Sequence, residues 1–134
     1  MKIATFNVRT DTPVDGENRW QFRKGLILDK LTAEQPDVIG FQETTPVMAN
    51  FIKKYMPAYW FVGCGRNADY LGENNMIGFK PDKYELIELE TFWLSETPDV
   101  PGSRYANQSV CPRVCTHAVL RPLDGGTMFH AYNT

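Results

Sequence analysis

The chain has 134 residues, 43% of them hydrophobic and 22% charged, with a formal net charge of −2. That size and balance suit one globular domain, able to bury roughly two-thirds of its unfolded surface around a single core. The acidic balance argues against broad attraction to nucleic acid or anionic membrane. No apolar run approaches the roughly 18 residues of a membrane span. No charged-then-apolar leader precedes the first strand, so a cytoplasmic location is expected.

The first predicted strand is Lys2-Ile3-Ala4-Thr5-Phe6-Asn7-Val8-Arg9, with an amide, Asn7, inside an apolar run. A polar loop with Pro13 and Gly16 follows. Asn18 is a fair N-cap for a helix over residues 19–34. Trp20, Ile27, Leu28 and Leu31 form its apolar stripe, with Arg23 or Lys24 running along the stripe's edge. Pro36 stops that helix. Val38-Ile39-Gly40-Phe41-Gln42-Glu43 then reads as a strand apolar on both faces, as in a parallel strand covered on both sides. Strand, helix and strand make a right-handed βαβ unit.

A second helix spans 46–55, with Pro46 at its first position and Val47, Phe51 and Tyr55 as its stripe. From there strands dominate: 59–63, 74–79, 84–94, 113–121 and 127–134. The turn at Lys80-Pro81-Asp82-Lys83 predicts a hairpin between the second and third of these. Residues 95–109 are irregular and long enough to suggest a functional loop. Trp20, Trp60 and Trp93 are expected in the core. The last strand meets the end of the chain with no polar tail, which sets the expectation of a domain truncated at its C-terminus.

Three cysteines do not make a disulfide framework. Cys111, Cys115 and His117 offer too few ligands for a zinc site, so ordinary thiols are expected. The chemistry lies elsewhere. If the first two strands are neighbours, Asn7 and Glu43 emerge together at the C-terminal sheet edge, where open α/β sheets place ligands. Buried without partners, such groups would cost several kcal/mol, roughly 2–7 for the neutral amide. One carboxylate beside an amide suits Mg²⁺, which otherwise takes waters and substrate phosphate. The competing reading makes Asn7 a turn or bulge residue and Glu43 a cap on the next helix. Bond chemistry alone leaves both open.

The words Thr5-Phe6-Asn7-Val8-Arg9 and Asp37-Val38-Ile39-Gly40-Phe41-Gln42-Glu43 resemble the first two motifs of the endonuclease/exonuclease/phosphatase (DNase I-like) superfamily. Thr91-Phe92-Trp93-Leu94-Ser95-Glu96-Thr97-Pro98 and Pro112-Arg113-Val114 resemble a bacterial branch of it. The resemblance implies half of a four-layer α/β/β/α sandwich, an α/β fold whose mixed sheet carries helices on one face. Residues 1–134 would be the N-terminal part of one such domain. It also implies a Mg²⁺- or Mn²⁺-dependent phosphoesterase, a hydrolase of nuclease, phosphodiesterase or phosphatase type.

By the same resemblance Asn7 and Glu43 place the metal and the scissile phosphate. Glu73, in a Gly-Glu-Asn step, is a further catalytic candidate, or else an exposed turn carboxylate. Arg66 and Arg113 could clamp phosphate oxygens, or be surface arginines. Tyr132-Asn133-Thr134 resembles the opening of another family motif, making Asn133 a substrate-binding candidate. The family's catalytic histidine and later aspartate motifs have no counterpart here. His117 and His130 read as satisfied sheet-face histidines, since a catalytic base must reach its proton. The expected substrate is a nucleic acid, a nucleotide or a phosphorylated small molecule. The alternative is an inactive fragment or interaction module that self-associates through an exposed apolar sheet face or needs a partner half.

Overall fold

The computed structural model describes residues 1–134. Its first sheet has the order β1 (Ile3–Asn7), β2 (Val38–Gln42), β4 (Ile77–Phe79), β3 (Trp60–Val62). β1 and β2 run parallel in the register Ile3↔Val38 to Asn7↔Gln42, while β4 runs antiparallel to both its neighbours. A second, antiparallel sheet has the order β5 (Tyr84–Trp93), β6 (Val114–Pro122), β7 (Phe129–Asn133).

β2 is apolar on both faces because each meets a different layer. On one side Ile39 and Phe41 pack under two helices, α1 (Trp20–Glu34) and α2 (Pro46–Tyr55), with Trp20, Ile27, Leu31, Met48 and Ile52. On the other side Val38, with Ile77 and Phe79 of β4, packs against Tyr84, Ala118 and Leu120 of the second sheet. The layers are therefore helices, mixed sheet and antiparallel sheet. The fold is α/β, with its helices on one face of the mixed sheet.

Several local expectations change. Asn18 does not cap α1, because residues Pro13–Asn18 close into a 3-10 turn. The N-terminal N–H of Trp20 is met instead by the Asp11 carboxylate, 3.2 Å away. On α2 the buried face is Met48, Ala49 and Ile52, and Val47 is 74% exposed. The stripe is rotated by one residue, since the helix must seat Met48 and Ile52 on Phe41. Trp20 and Trp93 are core residues, but Trp60 is 61% exposed on the edge strand β3.

The predicted hairpin at 80–83 is absent. Tyr84 N donates to Lys80 O at 3.0 Å, and this tight corner passes the chain from the first sheet to the second. The exposed apolar face is also different. Ala118 and Leu120 point into the sandwich, so by strand alternation the outer face of β6 carries His117 and Val119. That face is mixed, with Glu90, His130 and Tyr132 around His117. The His117 and His130 rings stack at 5.1 Å, with His117 Nε2 and His130 Nδ1 2.9 Å apart.

Candidate functional site

The C-terminal ends of β1 and β2 open into a cleft of about 150 Å³, lined by Asn7, Gln42, Glu43, Arg66, Glu73, Asn75, Arg113, Val114 and Thr134. Five of the six residues selected from sequence line it. Asn7 is the last residue of β1, and Glu43 follows β2 directly. Their parallel register puts them side by side, and Asn7 Nδ2 donates to Glu43 Oε1 at 2.8 Å. Thr10 N–H donates to Glu43 Oε2 at 2.9 Å.

Each carboxylate oxygen of Glu43 thus accepts one hydrogen bond and keeps a lone pair. The Asn7 amide holds the Glu43 carboxyl below the usual carboxylate range. Burial opposes this, while Thr10 N–H and the more distant Arg9 and Arg66 reinforce it. Glu43 sits at φ 61, a left-handed conformation uncommon for a residue with a side chain. Strain of this kind costs of order 1–3 kcal/mol and collects at sites where geometry matters.

Asn7 also makes a turn contact, since its Oδ1 accepts from Arg9 N–H at 2.8 Å. The capping role for Glu43 is taken by Thr45, whose hydroxyl accepts from Met48 N–H at the start of α2.

Across the cleft, an antiparallel bridge joins Thr44 to Asn74, with Thr44 Oγ1 donating to Asn74 O at 2.7 Å. This bridge brings the segment of Glu73 and Asn75 alongside Glu43. Glu73 Oε2 lies 2.6 Å from Arg66 Nη1, and both side chains are largely buried. The Arg66 backbone is fixed in turn, its N–H to Glu73 O and its carbonyl to the Trp93 indole at 2.6 Å. Arg113 enters from just before β6, exposed and without an ion-pair partner.

Asn133 lies one layer behind the cleft. It is 6% exposed. Its Nδ2 donates to Phe41 O at 2.8 Å and Met76 O at 3.0 Å, and its Oδ1 accepts from Gln42 Nε2. The amide therefore pins β7 to the first sheet and orients Gln42. Gly40 permits this approach, since a Cβ there would meet Asn133 Oδ1 at 2.8 Å.

Sequence reasoning missed Gln42 and Asn75. Gln42 carries the signal that marked Asn7, a lone amide at the end of an apolar strand, and Asn75 follows Glu73 by two residues.

The donor set is hard: two carboxylates and several amides, with no sulfur and no imidazole. Such oxygens suit Mg²⁺ or Mn²⁺ rather than zinc. No group of three or more His, Cys, Asp or Glu side chains converges anywhere in the chain, so any ion here would keep several waters. Cys64, Cys111 and Cys115 are free. No helix is long and apolar enough to cross a membrane.

Comparison with known proteins bears on this geometry. Residues 4–125 match the Endonuclease/Exonuclease/phosphatase family. An endonuclease/exonuclease/phosphatase from Bacteroides vulgatus superposes with a TM-score of 0.92 and 34% identity, over 98% of this chain and 51% of that one. A mannosyl-6-phosphatase from Bacteroides thetaiotaomicron superposes at 0.91 with 30% identity, over 98% and 50%. An uncharacterised protein of Acanthamoeba polyphaga mimivirus is 29% identical over 119 residues, 80% of this chain and 42% of its own length. The chain thus spans about half the length of the proteins it matches.

Proposed function

This chain belongs to the endonuclease/exonuclease/phosphatase family, and on that premise we propose that its cleft is the metal- and phosphate-holding part of a Mg²⁺-dependent phosphoesterase site. The observation that carries the reading is Glu43, a carboxylate kept ionised by two neutral donors and left with free lone pairs in a polar cleft.

In this reading Glu43 holds a divalent ion. Asn7 orients the carboxylate through Nδ2 and offers Oδ1 as a further oxygen donor. Bound Mg²⁺ or Mn²⁺ would supply Lewis-acid stabilisation of the charge on the phosphoryl oxygens. Arg113, free of any ion-pair partner, takes a phosphate oxygen in a charge-assisted hydrogen bond. Arg66 takes another, while Glu73 fixes its guanidinium and adds a second carboxylate to the cleft. Asn133 acts indirectly, by setting the Gln42 amide at the cleft wall.

No histidine lines the cleft, and His117 and His130 are engaged with each other on the outer face of the second sheet. The work assigned to residues 1–134 is therefore binding and orientation. A small phosphorylated compound fits better than long nucleic acid. The cleft walls carry no aromatic stacking platform, and one similar protein of known activity is a mannosyl-6-phosphatase.

The test is hydrolysis of p-nitrophenyl phosphate and bis(p-nitrophenyl) phosphate by the protein carrying this chain, with Mg²⁺, Mn²⁺ or EDTA. Metal-dependent release of nitrophenol that EDTA abolishes is expected. Turnover indifferent to EDTA would contradict the reading.

A second reading, an interaction module, rests on a cleft of about 260 Å³ between the edge strands β1 and β7. Ile3, Val38, Ile77, Phe129 and Ala131 are among its lining. Pairing with a second copy along these edges would cover it. Sedimentation of residues 1–134 would show a dimer under this reading and a monomer otherwise.

A further inference from the structure

We propose that Arg23 of α1 is a positioning residue for the Glu43 carboxylate, acting through the loop that follows β1. The inference rests on the metal-holding reading of Glu43. Arg23 does not line the cleft. Its guanidinium takes part in none of the chain's ion pairs. Its donors go instead to the main chain: Nη1 to Val8 O, Nη2 to Arg9 O at 2.7 Å, and Nε to Asn18 O at 2.5 Å.

Val8 and Arg9 directly precede Thr10, the residue whose N–H donates to Glu43 Oε2. Arg9 itself is left-handed at φ 55, a conformation an arginine adopts only where its surroundings hold it. One guanidinium therefore fixes both carbonyls of the turn that aims Thr10 N–H, and ties that turn to Asn18 at the far end of the loop.

The chemistry selects arginine. A planar fork of five donors can meet three carbonyls in fixed directions, whereas an ammonium is a flexible point charge. Without the fork, Arg9 relaxes from the left-handed region and Thr10 N–H swings away. Glu43 then loses one of its two donors. Groups that orient a metal ligand from behind are typically worth about 10–100-fold in metal affinity.

The experiment compares Arg23→Lys and Arg23→Gln with the unaltered chain in two readouts: Mn²⁺ affinity by calorimetry, and hydrogen exchange at the Thr10 amide by NMR. Ile27→Val, a core change on the same helix, controls for lost stability, because Ile27 is buried in the core and its side chain has no donor for the loop carbonyls. Both Arg23 variants are expected to bind Mn²⁺ about 10–100-fold more weakly and to exchange the Thr10 amide faster. Ile27→Val is expected to lower the melting temperature and change neither readout. Unaltered affinity and unaltered Thr10 protection in Arg23→Lys, the milder variant, would overturn the proposal. If the unaltered chain binds no Mn²⁺, the metal reading fails by itself. Thr10 exchange then still decides whether Arg23 holds the loop.

Discussion

Asp37 and Glu43 bracket the same strand, β2, and their carboxylates are held in opposite ways. Asp37, before the strand, lies 2.6 Å from Lys83 Nζ and accepts from Lys2 N–H at 2.7 Å. Lys83 is the main cause that holds its carboxyl below the usual range. Glu43, after the strand, is also held low, but chiefly by the neutral Asn7 amide. The negative charge of Asp37 is thus cancelled inside the fold. That of Glu43 is stabilised without being neutralised, and remains able to attract a cation. One end of the strand pair is a lock, and on the proposed reading the other is a socket.

The largest effect is expected from neutralising Glu43. Glu43→Gln keeps an acceptor for Asn7 and removes the charge. Metal-dependent turnover should fall by about 10²–10³-fold, the usual scale for removing a group that organises developing charge. The melting temperature should fall modestly, since the amide keeps an acceptor for Asn7 but turns a donor towards Thr10 N–H. Turnover within a fewfold of wild type would separate the carboxylate from the chemistry.

Removing the lock should do the reverse. Asp37→Ala strands the Lys2 N–H and frees Lys83, and should cost about 1.5–3 kcal/mol in urea unfolding, the range for hydrogen bonds to charged groups. Mn²⁺ affinity should be unchanged. The pH dependence has a definite sign. Both carboxyls titrate lower in the folded chain than in the unfolded one, so their stabilisation is complete above the ordinary carboxylate range and is lost as pH falls through the folded values. Asp37→Asn should flatten the acid limb of stability against pH, which urea titration at several pH values would reveal.

Gly40→Ala probes the link between the sheets. Its Cβ would press on Asn133 Oδ1, and a cost of about 1–3 kcal/mol is expected from overpacking. The smallest effect should come from Gln35, which is left-handed at φ 46 where α1 ends. Gln35→Gly should stabilise by up to about 1 kcal/mol in thermal melts, the relieved left-handed strain less the extra backbone entropy of glycine, with no change in Mn²⁺ binding. The same relief of strain at Glu43 would remove the carboxylate itself, so left-handed residues at the two places have different meanings.

The socket was legible in the sequence because its logic is local. Asn7 and Glu43 each end an apolar run, and parallel pairing of those runs brings the two side chains together. The lock was not, since Lys83 lies 46 residues from Asp37 and nothing near either marks the pairing. Asn133 shows the same limit. The resemblance of Tyr132-Asn133-Thr134 to a family motif marks it as a substrate group, yet its amide nitrogen donates to carbonyls 92 and 57 residues away. The corner at 80–83 misled for a related reason. Turn chemistry tells where the chain reverses but not which sheet the next strand joins, and that depends on Tyr84 packing with Val38 and Leu120. The α2 stripe slipped by one position because Val47 and Met48 are both apolar, and only the shape of the core beneath chooses between them.

The most direct test is a calorimetric Mn²⁺ titration of three proteins: the unaltered chain, Asp37→Asn and Glu43→Gln. The expected result is one bound ion of equal affinity in the first two, with binding lost in Glu43→Gln. Binding that survives in Glu43→Gln but disappears in Asp37→Asn would exchange the two ends of β2 and contradict the account.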